Sequence, residues 1–242
     1  VSNESPQFQS VRREKFSQQI SRQLMRAVIG GHYKAGDRLP PERELATMFG
    51  ASRSAVREAV GLLVAKNIAT VEQGRGTTIN RPDEWNTLDP ELFMLQYGEL
   101  AFEQLIEARS IFEPAMAALA AEHITPATLD VLRSLTQPFL DDSVEDHVAK
   151  DTSFHLEIAK ATQNTVLLIV MTSINDLLRE SRRRTFVVPG ELEHSWRCHQ
   201  AILDAFERRD AQAAGAAMTE HMEQVRKAMA RYRTLAGQGA GN

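Results

Sequence analysis

The chain has 242 residues, of which 43% are hydrophobic and 25% charged, and a formal net charge of −4. That length suits two modest domains, and that apolar share leaves disorder to the ends. A single cysteine, Cys198, excludes an internal disulfide, and there is neither a secretory h-region nor an apolar run near twenty residues, so a cytoplasmic protein with no membrane partner is expected.

Residues 1–14 are polar and read as a flexible N-terminus. Lys15 to Ile29 is predicted as an amphipathic helix, with Phe16, Ile20, Leu24, Ala27 and Val28 on one side and Gly30-Gly31 as its stop. The stretch from Leu39 to Val64 reads as two helices joined by a tight turn. Pro40 and Pro41 suit a helix start, Gly50 ends the first helix, and Ser52 is placed to cap the second. Val56, Ala59, Val60 and Leu63 form one apolar stripe, while Arg53 and Arg57, four apart, point elsewhere, with Ser54 beside them. Two short β-branched runs follow, Ile68 to Glu72 and Thr77 to Asn80, around the turn Gln73-Gly74-Arg75-Gly76. Helix, turn, helix and a hairpin tipped by Arg75 make a winged helix-turn-helix over 15–80, with Arg75 set to reach a minor groove. An ordinary helical hairpin with a solvated charged face is the bland alternative for the two helices taken alone.

Residues 81–90, rich in Pro, Asp and Asn, read as a linker, with Trp85 anchoring it to one domain. The charge is uneven across it. Residues 1–80 carry 12 Lys and Arg against 7 Asp and Glu, net +5, and residues 81–242 carry 16 against 25, net −9. A basic head on an acidic body is the footprint of a nucleic-acid reader joined to something else. Beyond the linker, strand signals nearly vanish. Helices are predicted at Glu91–Tyr97, Glu99–His123, Pro126–Asp141, Val144–Thr162, Thr165–Arg184, Leu192–Arg209 and Ala211–Leu235. Short breaks between six or seven helices imply an antiparallel bundle over 91–236, with 237–242 as a flexible tail. The fold class expected is therefore mostly α, with one small β-hairpin.

Inside the bundle, four polar residues fall on apolar stripes. Asp151 and His155 are four apart, on the face of Val148, Ile158 and Ala159; His199 lies with Ile202, Leu203 and Phe206; His221 lies with Ala214, Met218, Val225 and Ala228. A buried charge is costly unless paired or coordinated, and three imidazoles with one carboxylate suit a divalent ion, zinc first, with nickel or manganese as alternatives. Each histidine taken singly also fits a satisfied core residue. His147 and His194 are competing ligands, and His32 and His123 read as surface or helix-end residues. Arg109 falls on the inward stripe between Leu105, Phe112 and Met116. It wants an anion there: either Glu113, four residues on, or the carboxylate of a ligand beside the metal. Asn175 and Arg179 are further pocket candidates, and Arg182-Arg183-Arg184 reads as a solvated helix end.

These stretches resemble the GntR superfamily of transcription regulators, in the FadR branch that carries an FCD effector domain. The N-terminal resemblance rests on GHYKAGDRLPPERELATMFGASRSAVREAVGLLVAKN and the wing VEQGRGTTI. The C-terminal one rests on EARSIFEPAMAALAA, the DTSFH segment and HQAILDAFERRDAQAAGAAMTEH. The resemblance implies DNA contacts by Arg43, Ser52, Arg53, Arg57 and Gly74, with Gln73 at a variable wing position. It also implies metal ligation by Asp151, His155, His199 and His221, and an effector-binding role for Arg109. Such proteins are homodimers that read palindromic operators. The expected function is a repressor answering to a small carboxylate (hydroxy acid, keto acid or sugar acid), not an enzyme. Two rivals use the same residues: a metal-dependent hydrolase, against which no HExxH motif or positioned general base is evident, and a sensor for which the metal itself is the signal.

Overall fold

In the computed structural model, which describes residues 15–98, 100–137 and 143–239, the chain divides between Thr87 and Leu88 into two units. In the first, α1 (Phe16–Ile29) buries Ile20, Leu24, Met25 and Val28, residues that recur at helical spacing on one face. That face packs on α3 (Arg53–Ala65), whose Val56, Ala59, Val60 and Leu63 are buried in turn. Between them, α2 (Glu42–Phe49) ends at Gly50, whose φ of 59° is the left-handed turn that frees the chain to start α3. Ser52 caps α3, its Oγ accepting from the Ala55 amide at 3.2 Å. The wing is the antiparallel pair β1 (Ala69–Glu72) and β2 (Gly76–Ile79), in register Ala69–Ile79 through Glu72–Gly76. Arg38 adds one bridge to Thr78 beside it. The segment read as a linker is ordered at its start: residues 82–84 form a 3₁₀ turn, and the Trp85 indole donates to the Asn80 carbonyl at 3.1 Å.

The second unit is all-helical among the described residues. Its helices are α4 (Pro90–Tyr97), α5 (Leu100–His123), α6 (Pro126–Leu135), α7 (Val144–Ala161), α8 (Thr165–Ser173), α9 (Asn175–Phe186), α10 (Glu191–Glu207) and α11 (Ala211–Gly239). Alanines dominate the seam between α5 and α11. Ala117, Ala120, Ala121 and Ala214 are fully buried there, and a Cβ on Gly215 would stand 3.3 Å from the Pro114 carbonyl oxygen. Small side chains let the two axes approach, so that longer residues one turn along reach a shared interior. One part of that interior is apolar, built on Phe154, Ile158, Ile202, Phe206 and Met218. Another is built on Phe102, Ile106, Leu177, Leu178 and Met229.

Three boundaries differ most from expectation. The helix expected over Pro126–Asp141 stops at Leu135. There the Thr136 hydroxyl turns back to the Arg133 carbonyl at 3.1 Å, and Gln137 precedes a proline, which disfavours the helical conformation. Residues 138–142 lie outside the described residues, as do residues 1–14 and 240–242. The single helix expected over Thr165–Arg184 is two, broken at Ile174 (ψ 4°), just after the Thr172 hydroxyl bonds back to the Leu168 carbonyl at 2.8 Å. The tail expected from residue 237 is still helical through Gly239, because extending an established helix adds one hydrogen bond for each residue fixed.

Candidate functional site

On the first unit, all of the candidate contact residues are exposed: Arg43 on α2, Ser52, Arg53, Ser54 and Arg57 at the start of α3, and Gln73, Gly74 and Arg75 at the wing tip. The α3 start offers unsatisfied backbone N–H groups and two hydroxyls, with Ser52 Oγ and Ser54 Oγ 3.0 Å apart. Arg57 is held in place by Glu42 of α2, its Nε and Nη2 donating to the carboxylate at 3.0–3.3 Å. That pair fixes the guanidinium beside the α3 start, and being exposed it adds little stability. At the tip, Gly74 has φ 77° and Gly76 φ 95°, backbone conformations that set Arg75 outward, where Nη1 pairs loosely with Glu72 at 3.3 Å.

On the second unit, α7, α10 and α11 bring Asp151, His155, His199 and His221 together, each buried, with one ligand atom from each lying within 4.8 Å of all the others. His155 Nε2 is 3.2 Å from His221 Nε2 and 3.7 Å from Asp151 Oδ2, and His199 Nε2 is 3.4 Å from Asp151 Oδ1. Ligand atoms around a tetrahedral zinc-like ion, at about 2.0–2.1 Å from it, stand about 3.3–3.4 Å from one another. The residues therefore fit such an ion, and His199 Nε2, buried without a hydrogen-bond partner among the described residues, has the lone pair to spend on one.

Neighbouring groups orient these ligands. His155 Nδ1 lies 2.6 Å from Glu113 Oε2, which puts the proton on Nδ1 and leaves Nε2 as a lone pair, the arrangement seen around metal-binding histidines. The His199 ring stacks on Phe154, centroids 4.1 Å apart. Burial pushes the His199 imidazole down to about 3 and that of His221 well below its ordinary value, so both are neutral ligands at neutral pH. Burial alone raises the Asp151 carboxyl, but the Arg182 guanidinium beside it outweighs that and holds the group as a carboxylate. Arg109 holds Glu113 ionised in the same way. Cys198 adjoins His199 in sequence but is no candidate ligand: burial pushes its thiol up to about 11, and it stays neutral.

Arg109 is 1% exposed and donates through Nε to Glu113 at 2.5 Å, so the glutamate is its partner in this structure. Asn175 and Arg179 are half-buried on α9 and line neither cavity beside the cluster. The residue of α9 that does reach it is Arg182, which corrects its reading as part of a solvated helix end. Arg182 is 3% exposed, and its Nε donates to Asp151 Oδ2. Asn175 and Arg182 are seven residues apart and so share a stripe, about 10 Å apart along the axis, and only the later turn is level with the histidines. Glu113 was legible only as a partner four residues from Arg109, and nothing local marked Arg182 as facing inward. His147 is half-buried and lines a cavity of about 60 Å³ that also touches Asp151 and His199; His194 is exposed.

Family models match both units: residues 16–79 match "Bacterial regulatory proteins, gntR family", and residues 104–224 match the FCD domain. The chain is 31% identical over 227 residues to the "Putative L-lactate dehydrogenase operon regulatory protein" of Escherichia coli, covering 90% of this chain and 88% of that one. It is 30% identical to the HTH-type transcriptional regulator LutR of Bacillus subtilis, with 85% and 97% covered. It is 31% identical to the HTH-type transcriptional repressor NanR of Citrobacter rodentium, with 88% and 85% covered. Among solved structures it shares the fold of Listeria monocytogenes Lar, with a TM-score of 0.59 at 19% identity over 91% of this chain and 99% of that one.

Proposed function

We propose that this chain, which belongs to the gntR family of bacterial regulatory proteins, carries an FCD domain and is a ligand-responsive transcription regulator, is a cytoplasmic repressor that reads a palindromic operator as a homodimer. It releases the operator when a small carboxylate joins a divalent metal, zinc first, in the helical unit. The observation that carries the effector half is the convergence of four buried ligand groups at ion-binding separations. The operator half rests on the exposed cations and hydroxyls at the α3 start and wing, which suit base edges and phosphates.

The charge of the interior supports an anionic effector. Arg109 and Arg182 are balanced by Glu113 and Asp151, and His199 and His221 are neutral, so these six groups together carry no net charge. Asp151, His155, His199 and His221 would hold the ion, which supplies two positive charges and a Lewis-acidic position for an anionic oxygen. Two uncompensated charges are costly in a buried site, and a carboxylate beside them relieves that cost. For the protein to switch, the acid must bind one arrangement of the chain more tightly than another. A hydrolytic use of the cluster has little support: both carboxylates beside the histidines are held by arginines, and neither is free as a general base.

The test uses duplexes that the full chain selects from a random pool. The selected sites are expected to be palindromic, the protein to hold one metal per chain, and small carboxylates to release the DNA. His199→Ala is expected to lose the metal and the response while keeping the duplex. Full metal content in that variant refutes the ligand set, and selected sites without two-fold symmetry refute the dimeric reading.

A further inference from the structure

The two buried arginines are not equivalent. Arg109 spends its Nε on Glu113. Arg182 spends its Nε on Asp151, but its Nη1 and Nη2 are both buried with no hydrogen-bond partner among the described residues. A guanidinium edge stripped of water and left unpaired is costly, and its two parallel donors match the two oxygens of a carboxylate. Arg182 lines a cavity of about 10 Å³, room for one water-sized group, together with Ser181, His221 and Gln224. A second cavity, of about 60 Å³, shares Asp151, Phe186 and Ser195 with the first, so the body of a short acid has somewhere to extend.

Gln224 adds a second requirement. Its Nε2 donates to the buried Glu191 carboxylate, which can only accept, so the amide orientation is set. The Oε1 that remains is buried and unpartnered. An unsatisfied acceptor on a residue lining the same cavity as the carboxylate clamp asks for a ligand with a donor next to its carboxylate. A hydroxyl supplies one and a keto oxygen does not.

Building on the metal-and-carboxylate reading above, we propose that this site selects a short 2-hydroxy monocarboxylate, with the Nη edge of Arg182 clamping the carboxylate and Gln224 Oε1 accepting from the hydroxyl. Arg109 is then a positioning residue, acting through Glu113 on His155. A site built to bond a hydroxyl discriminates strongly against analogues that lack one.

The experiment is calorimetric titration of the zinc-loaded full chain with glycolate, L-lactate, pyruvate and acetate. Glycolate or L-lactate is expected to bind at least about 10-fold tighter than pyruvate and acetate. Arg182→Lys, with zinc retained at one per chain, is expected to weaken every acid by roughly 10- to 100-fold. Gln224→Met is expected to bring the hydroxy-over-keto preference close to one. The wild-type series needs no variant to fold: pyruvate binding as tightly as L-lactate, or no binding by any of the four acids, overturns the proposal. Unchanged affinity in Arg182→Lys overturns the clamp. Zinc bound and selected DNA retained, alongside any of these failures, leaves the regulator reading standing; failure of the wild type to bind zinc removes the metal reading and this inference with it.

Discussion

The two units carry their chemistry under opposite conditions. On the first, the candidate contact residues lie within about thirty-three positions of chain, from Arg43 to Arg75, and all of them are exposed. In the second, the cluster draws on α5, α7, α9, α10 and α11, from Arg109 to His221, and its members are buried. An exposed side chain needs only its own helix to aim it, and water pays its solvation. A buried charge needs partners from other helices, so each member of the cluster is a condition on the others. The winged unit should therefore tolerate loss of a contact residue without unfolding, and the helical unit should not.

The sharpest test of that contrast is Asp151→Ala. It leaves the Arg182 guanidinium buried without its anion, and removing one partner of a buried pair costs about 3–5 kcal/mol. Thermal or denaturant unfolding of the metal-free variant is expected to show a loss of that size, confined to the helical unit. A loss under about 1 kcal/mol would mean the interior is wetter than the structure has it.

Arg57→Ala probes the other side. Its pair with Glu42 is exposed, so unfolding is expected to move by less than about 1 kcal/mol. Affinity for the selected duplex is expected to fall by about 1–3 kcal/mol, with weakened discrimination at the base it faces. A variant that unfolds early yet binds normally would invert the comparison.

The most gradual expected effect is in acid. His199 is held at about 3 when folded, against an ordinary 6.5, so below 6.5 the unfolded chain takes up a proton that the folded chain refuses. Stability is full above that pH and declines as pH falls toward 3, by at most about 1.4 kcal/mol per unit for this group. His221 acts in the same window and direction, while the depressed carboxylates of Asp151 and Glu113 add their loss only below about pH 4.5. Unfolding of the chelator-treated protein from pH 7 to 5 measures the slope. A flat profile would mean that the imidazoles are not sequestered.

Local grammar explains what was legible beforehand. The Gly50 turn, the Ser52 cap and the wing are short-range devices, and the stripes carrying His155, His199 and His221 follow from helical spacing within each segment. The misread places are those where a side chain answers to something distant. Arg182, beside Arg183 and Arg184, has the look of a charged helix end; Asp151, 31 residues earlier, makes it an interior residue. Glu113 reads as a neighbour for Arg109 because they are four apart, and nothing local reveals its contact with His155.

The residue order by itself determined which segments become helices, where the wing turns, and which polar side chains face inward, because backbone propensity and amphipathic period act within a few residues. Only the tertiary structure decided which of those inward groups meet. It joined His155 to Glu113, Asp151 to Arg182, and left the Nη edge of Arg182 and Gln224 Oε1 buried without partners, on residues that line one cavity. Those pairings depend on how closely α5, α7, α9, α10 and α11 pack, which rests on residues far apart in the chain, such as Gly215, where a Cβ would stand 3.3 Å from the Pro114 carbonyl oxygen.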